Sequence, residues 1–360
     1  MSARSARRVR SIALGVTLGL VVGLGVAATS SAGATTGAQN DADTVRLGYF
    51  PNVTHAPALV GLEEGFFEDA LGDTTLETQF FNAGPDVITA LLSDSLDASY
   101  IGPNPTVAAF TQSDGAVKVV SGAASGGAYL VVKPDIKNAK DLEGKTLASP
   151  QLGNTQDVAL RSWLKKKGLE TDTAGGGDVK IQPQENSVTL TSFQDDAIDG
   201  AWVPEPWATR LVDEGGGKIL VDEADLWPDG KYVTTNLLVN KAFLDDNPDI
   251  VQRLLTGHVE AVDFINDSAT RDQAEADVVN RIGADTGKPI AAELVTASFD
   301  NITFTEDPIP TSLEQSAKDA ASLGLPGAVA LSKADIKALY NLKALNKVLK
   351  KNGQPTLTQP

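Results

Sequence analysis

VRLGYFPNVTHAPALVGLEEGFFEDAL, residues 45–71, sets the pattern for most of the chain. VRLGYF (45–50) is apolar and β-prone, a proline and a short polar stretch interrupt it, and APALVGLEEGFFEDAL (56–71) spaces its apolar residues as a helix does. The unit then recurs. LETQFF (76–81) reads as a strand, PDVITALLSDSL (85–96) as a helix with proline in its first turn, and ASYIG (98–102) as a strand. PTVAAFTQS (105–113) is a further helix and VKVVSGA (117–123) a further strand. Alternation at these lengths predicts βαβ units on a parallel sheet, an α/β fold.

SGAASGGA (121–128) breaks the rhythm with small residues at which a chain can turn or flex. A second set of strands and helices follows, from YLVVK (129–133) through GAWV (200–203) to KILV (218–221). YVTTNLLVN (232–240) is one more strand, and from 241 onward the pattern is helical. Two α/β sets joined through a small-residue segment predict two lobes with a cleft between them.

The ends and the composition narrow the function. Arg4, Arg7, Arg8 and Arg10 precede an apolar run from Ile12 to about Ala28, and small residues lead to Ala34. That order predicts a secretory signal peptide over 1–34, a linker over 35–44, and a secreted or periplasmic destination. There is no cysteine, which excludes disulfides, thiol catalysis and a lipidated N-terminal cysteine. The formal charge of −17 argues against nucleic acid or an anionic membrane as partner, and no second apolar run approaches a membrane span. No metal or cofactor motif appears: the histidines His55 and His258 lie far apart, there is no Gly-x-Ser-x-Gly elbow, and no phosphate-cradling glycine loop. The expectation is a binding protein without a cofactor rather than an enzyme.

In an open sheet, ligands bind beyond the carboxyl ends of the strands, so the strand-to-helix junctions are the candidates. PNVTHAPA (51–58) offers Asn52 and His55, GPNPT (102–106) offers Gly102 and Asn104, and SPQLGNTQD (149–157) offers Asn154 and Thr155 at a helix start suited to an anion. The fourth junction is AWVPEPWATRL (201–211), with Trp202, Glu205 and Trp207 on a corner stiffened by two prolines. Asn and Thr at helix starts also serve as plain caps, and a tryptophan also serves as plain packing.

Four segments carry a resemblance: GYFPNVTHAPALVGLEEGFF, FNAGPDVITALLSDSLDASYIGPNP, DLEGKTLASPQLGNTQDVALRSWLKKKGL and IDGAWVPEPWATRLV. They resemble the periplasmic solute-binding proteins of ABC importers, of the aliphatic sulfonate, taurine and nitrate type. The resemblance implies a two-lobed periplasmic-binding-protein fold (type II) with a hinge and a central ligand cleft. It implies lobe 1 at 45–127 and 234–360, and lobe 2 at 128–233. It implies ligand contacts at Asn52, His55, Gly102, Asn104, Ser125, Asn154, Thr155, Trp202, Glu205 and Trp207. The expected ligand is a small organic anion, an aliphatic sulfonate or taurine, with nitrate, a pyrimidine or thiamine precursor, or an enzyme on the same fold as alternatives. The expected partner is an ABC permease, and the chain is expected to be a monomer. The sequence leaves two roles open for Glu205: pairing with a ligand amine, or bonding across the lobes.

Overall fold

A computed structural model describes residues 42–360. The leader expected over 1–34, and the linker as far as residue 41, lie outside the described residues. The strands are β1 (Thr44–Tyr49), β2 (Thr75–Phe80), β3 (Ala98–Ile101), β4 (Val117–Gly126), β5 (Ala128–Val132), β6 (Thr146–Ser149), β7 (Lys180–Pro183), β8 (Gly200–Pro204), β9 (Lys218–Asp222), β10 (Val233–Asn240) and β11 (Ile302–Phe304). Seven helices precede β9: α1 (Ala56–Glu63), α2 (Phe66–Leu71), α3 (Gly84–Leu92), α4 (Pro103–Gln112), α5 (Thr155–Lys166), α6 (Asn186–Gln194) and α7 (Trp207–Asp213). After β10 come α8 (Lys241–Asp246), α9 (Pro248–Asn266), α10 (Arg271–Thr286), α11 (Ala292–Asp300), α12 (Pro310–Ser322), α13 (Lys333–Leu339) and α14 (Lys343–Lys351).

The strands form two sheets. The first is six-stranded, in the order β11-β4-β10-β3-β1-β2, and the second is five-stranded, in the order β7-β6-β8-β5-β9. The βαβ rhythm gives parallel pairs where it holds: β1 with β2 and β3, and β6 with β7 and β8. The sheets are mixed rather than wholly parallel. β10 returns from the second lobe and runs antiparallel between β3 and β4, while β5 runs antiparallel to β8 and β9.

Three local expectations change. The helix expected over 56–71 is two helices, because Gly65 takes the left-handed conformation (φ 76) and starts α2 in a new direction. The small-residue segment 121–128 does hold the change of direction, but only at its far end, since β4 runs on to Gly126. Its smallness answers to crowding: a Cβ on Gly122 would lie 2.3 Å from the Asp307 carbonyl oxygen. The crossover itself falls at Gly126 and Gly127, both at positive φ (87 and 71), just before β5. The C-terminal region is helical but for β11, which pairs with β4 beside that crossover.

Each lobe has its own core. In the first, Leu47, Tyr100 and Leu237 from the sheet meet the apolar face of α9, including Leu254, Leu255 and Val262. His258 lies on the same face, fully buried, with its ring nitrogens 2.8 Å from the Tyr100 hydroxyl and 2.9 Å from the Gly122 carbonyl oxygen. It is an interior structural residue. In the second lobe, alternation along β8 sends Trp202 to one face, against Leu130 and Trp163, and Ala201 and Val203 to the other, against Phe193.

Candidate functional site

The two sheets point their strand-to-helix junctions at one another. Between them lies a small cavity of about 30 Å³. Four helices begin at its wall, two from each lobe: α1 after His55, α4 after Gly102, α5 at Thr155 and α6 at Asn186. Their dipole ends turn partial positive charge toward the space; α5 and α6 add first-turn N–H groups, whereas Pro57, Pro103 and Pro105 take N–H groups away from the first turns of α1 and α4. No aspartate, glutamate, lysine or arginine lines it. Asn52, Asn154 and Thr234 supply polar groups, and Phe50, Pro150 and Pro204 supply apolar wall.

Three buried side-chain atoms on this wall have no hydrogen-bond partner: Thr155 Oγ1, Thr235 Oγ1 and Asn186 Oδ1. A buried polar group left unpaired costs about 1–3 kcal/mol, so three around one cavity make it a candidate ligand site. The amide of Asn186 can present either its oxygen or its nitrogen inward.

His55 adds a neutral donor. Its Nδ1 accepts the Phe50 N–H at 3.2 Å, which leaves the ring proton on Nε2. Burial pushes the imidazole down to about 3, and the ring stacks on Phe50 at a centroid distance of 4.5 Å.

The loop that carries Asn154 and Thr155 is braced from below. Asp157, fully buried, accepts from Ser149 Oγ (2.7 Å), Gly153 N–H (2.9 Å) and Arg161 Nε (3.0 Å). Its carboxylate sits in the first turn of α5, where the helix dipole favours it. Asn154 precedes the helix yet makes no capping bond, so its side chain faces the cavity unspent.

Of the ten residues expected at the site, Asn52, His55, Gly102, Asn154 and Thr155 line this cavity. The other five do not, each for a visible reason. Trp202 is fully buried in the second lobe, 6.1 Å from Trp163 in an edge-to-face pair, and its indole N–H goes to Glu223 at 2.7 Å. It cannot wall a cleft. Asn104 is turned toward α12, accepting from Ser316 Oγ at 2.6 Å and donating to the Ser316 carbonyl at 3.3 Å. Ser125 lies in β4 beside the crossover, where its hydroxyl accepts the Tyr232 N–H at 3.4 Å. Glu205 is buried with both oxygens occupied: Thr209 N–H and Oγ1 in its own lobe, Ser298 Oγ (3.3 Å) and Asn301 Nδ2 (2.8 Å) in the other. Burial raises its carboxyl above the usual range, and these four bonds oppose the shift. Of its two open roles, the lobe-to-lobe bond is the one made. Trp207 stands at the mouth of a neighbouring, larger cavity and donates its indole N–H across the lobes to Asn52 Oδ1 at 2.9 Å.

Sequence reasoning missed Asn82, Asn186, Gln156, Thr234 and Thr235. Asn82 and Asn186 stand at the same kind of junction as the residues that were found, after β2 and before α6. Thr234 and Thr235 sit on an antiparallel strand entering from the other lobe, which a search limited to strand carboxyl ends passes over.

The lobes are closed on this cavity. Beyond Trp207–Asn52 and the Glu205 bonds, Ser162 on α5 donates to Asp319 on α12 at 2.9 Å, and Val158 packs against Ala320 and Leu325. Gly102 permits the approach, because a Cβ there would lie 2.5 Å from Thr155 Oγ1.

Comparison with known proteins bears on the family and the fold. The model of the NMT1-like family matches residues 38–279. A putative binding protein of Brucella abortus is 29% identical over 224 residues, covering 61% of this chain and 66% of that protein. The taurine-binding periplasmic protein of Escherichia coli is 28% identical over 206 residues, covering 57% of this chain and 62% of that one. The match thus spans just under two thirds of the length of these relatives. Among solved structures, the periplasmic nitrate-binding protein NrtA of Synechocystis superposes with a TM-score of 0.72 at 15% identity, covering 86% of this chain and 89% of that one. The fold is the two-lobed one of periplasmic binding proteins, and the chain belongs to the NMT1-like family.

Proposed function

We propose that this chain is the extracytoplasmic substrate-binding component of an ABC importer, exported by the leader at 1–34 and working as a monomer. It captures a small organic anion, a sulfonate of the alkanesulfonate or taurine class, by closure of lobe 2 (128–233) on lobe 1 (45–127 and 234–360), and delivers it to the permease. The observation that carries the reading is the inner cavity. Four helix N-termini and three unpaired buried polar atoms surround a space without charged side chains. Such a site binds an oxyanion through N–H and hydroxyl donors, so a strongly acidic protein needs no lysine or arginine in its cleft. Relatives whose names refer to taurine and nitrate are in keeping with an oxyanion. Chemistry is disfavoured, because His55 is the one titratable side chain on the wall and no second acid or base faces it. An uncharged wall with a stacked Phe50–His55 pair also suits a neutral pyrimidine, which gives the second reading.

A thermal-shift screen separates them. A ligand present at about one hundred times its Kd stabilises the folded state by about 2.7 kcal/mol and raises the melting temperature. We expect ethanesulfonate or taurine to do so; a shift with pyrimidines and none with any anion would replace the first reading by the second.

A further inference from the structure

A second cavity, of about 310 Å³, adjoins the inner one, and Asn52, Asn82 and Asn186 belong to the walls of both. It is ten times larger, and its character is different. Phe80, Phe81, Pro206, Trp207, Ile282 and Ile290 give it apolar sides from both lobes. Phe80 is 42% exposed at the end of the edge strand β2, so its ring presents apolar surface to this space. Trp207 is held rigidly. Its N–H is fixed on Asn52, and the Arg210 guanidinium lies over the ring at 4.9 Å.

Two of the four charged side chains on this wall, Arg210 and Asp285, are spent on the protein itself. Arg210 pairs with Glu214 at 2.7 Å, and Asp285 pairs with Arg281 and accepts from the Tyr49 hydroxyl at 2.8 Å. Glu185 and Lys288 also line the space and make no ion pair with any described residue, so its free wall is apolar surface edged by two charges. The rigid aromatic part of that wall binds a flexible chain with little ordering cost of its own.

We propose that this cavity is a tail subsite, and that the ligand is an organic anion with an unbranched alkyl tail of about four or more carbons. The inference rests on the anion reading of the inner cavity and deepens it. The head group occupies the inner cavity, and the chain passes the three asparagines and lies against Trp207 and Phe80. A two-carbon ligand leaves this second space unused.

The test is calorimetry on the wild-type chain with ethanesulfonate and hexanesulfonate. At about fourfold per methylene buried, even partial burial of four methylenes makes hexanesulfonate at least about tenfold tighter. Phe80→Ser, at a residue absent from the wall of the inner cavity, is expected to shrink that ratio severalfold while leaving ethanesulfonate affinity and melting temperature unchanged. Trp207→Phe is expected to keep most of the ratio and Trp207→Ala to lose it. If ethanesulfonate binds and hexanesulfonate gains less than about threefold, the tail subsite is wrong while the anion site stands. An equal loss for both ligands in Phe80→Ser overturns it too. If neither sulfonate binds the wild type, the anion reading falls, and the tail subsite with it.

Discussion

The interior of lobe 2 and the wall of the inner cavity are both rich in buried polar groups, yet they differ in how those groups are partnered. Inside lobe 2, Glu223 takes indole N–H bonds from Trp202 (2.7 Å) and Trp227 (3.4 Å), and Asp157 takes three donors. At the cavity wall, Thr155, Thr235 and Asn186 each leave an atom unpaired. Both places are buried, but partnering is fuller inside lobe 2, where, away from the cavity wall, Arg161 Nη2 is the one buried side-chain atom among the described residues left unpaired. A satisfied buried polar group holds the fold, whereas under the proposed function the groups left unsatisfied at the closed cleft are the ones a ligand would pair. Trp202 and Trp207 divide in the same way. They stand five residues apart in one motif, one locked in a core and the other holding the two lobes together beside the cleft.

The largest effect is expected on the structural side. Asp157→Ala leaves Arg161, 2% exposed, as an uncompensated buried charge and removes the brace under the α5 loop. Breaking a buried pair from one side costs about 3–5 kcal/mol, readable by chemical denaturation. A loss under about 1 kcal/mol would mean that the satisfied interior is not what it is taken to be here.

Gly102→Val comes next and acts on the cleft instead. The backbone at Gly102 (φ −72, ψ 162) accepts any residue, so the lobe should fold normally. The new side chain meets Thr155 across the gap and props the lobes apart. We expect an anion affinity reduced about a hundredfold or more, with the melting temperature within a few degrees of wild type. Unchanged affinity would show that closure over Gly102 is not required.

The smallest effect is one of pH. With its imidazole pushed down to about 3, His55 stays neutral and donates from Nε2 throughout the neutral range. Anion affinity should therefore be constant within about twofold between pH 6 and pH 8.5. A cationic His55 would behave otherwise, since affinity would fall as pH rises through about 6.5 and the charge is lost.

Much of the fold was legible because its signals are local. Strand–helix alternation, prolines at helix starts and the return strand at 232–240 each follow from neighbouring residues. Strand direction was less legible. Whether β10 runs parallel or antiparallel depends on where the chain re-enters the first sheet, and no local pattern records that. Of the candidate cavity, the lining residues whose backbone sits at a helix start were legible: Asn52, His55, Gly102, Asn154 and Thr155. Residues whose side chains choose between neighbours were not. Asn104 has the same sequence setting as Asn154, yet Ser316, 212 residues away, claims its amide. Trp202 was misread because β8 alternates, and which of its faces meets a core depends on Trp163 and Leu130.

The most direct test uses the double variant Thr155→Val, Thr235→Val, measured for stability and for binding of ethanesulfonate by calorimetry. Neither hydroxyl has a protein partner, so removing both should leave the unliganded protein as stable as wild type or more stable, by about 1 kcal/mol or more. Ethanesulfonate affinity should fall by about tenfold for each lost donor. A less stable protein that binds ethanesulfonate as well as wild type would contradict the account, since those hydroxyls would then belong to the fold and not to the ligand.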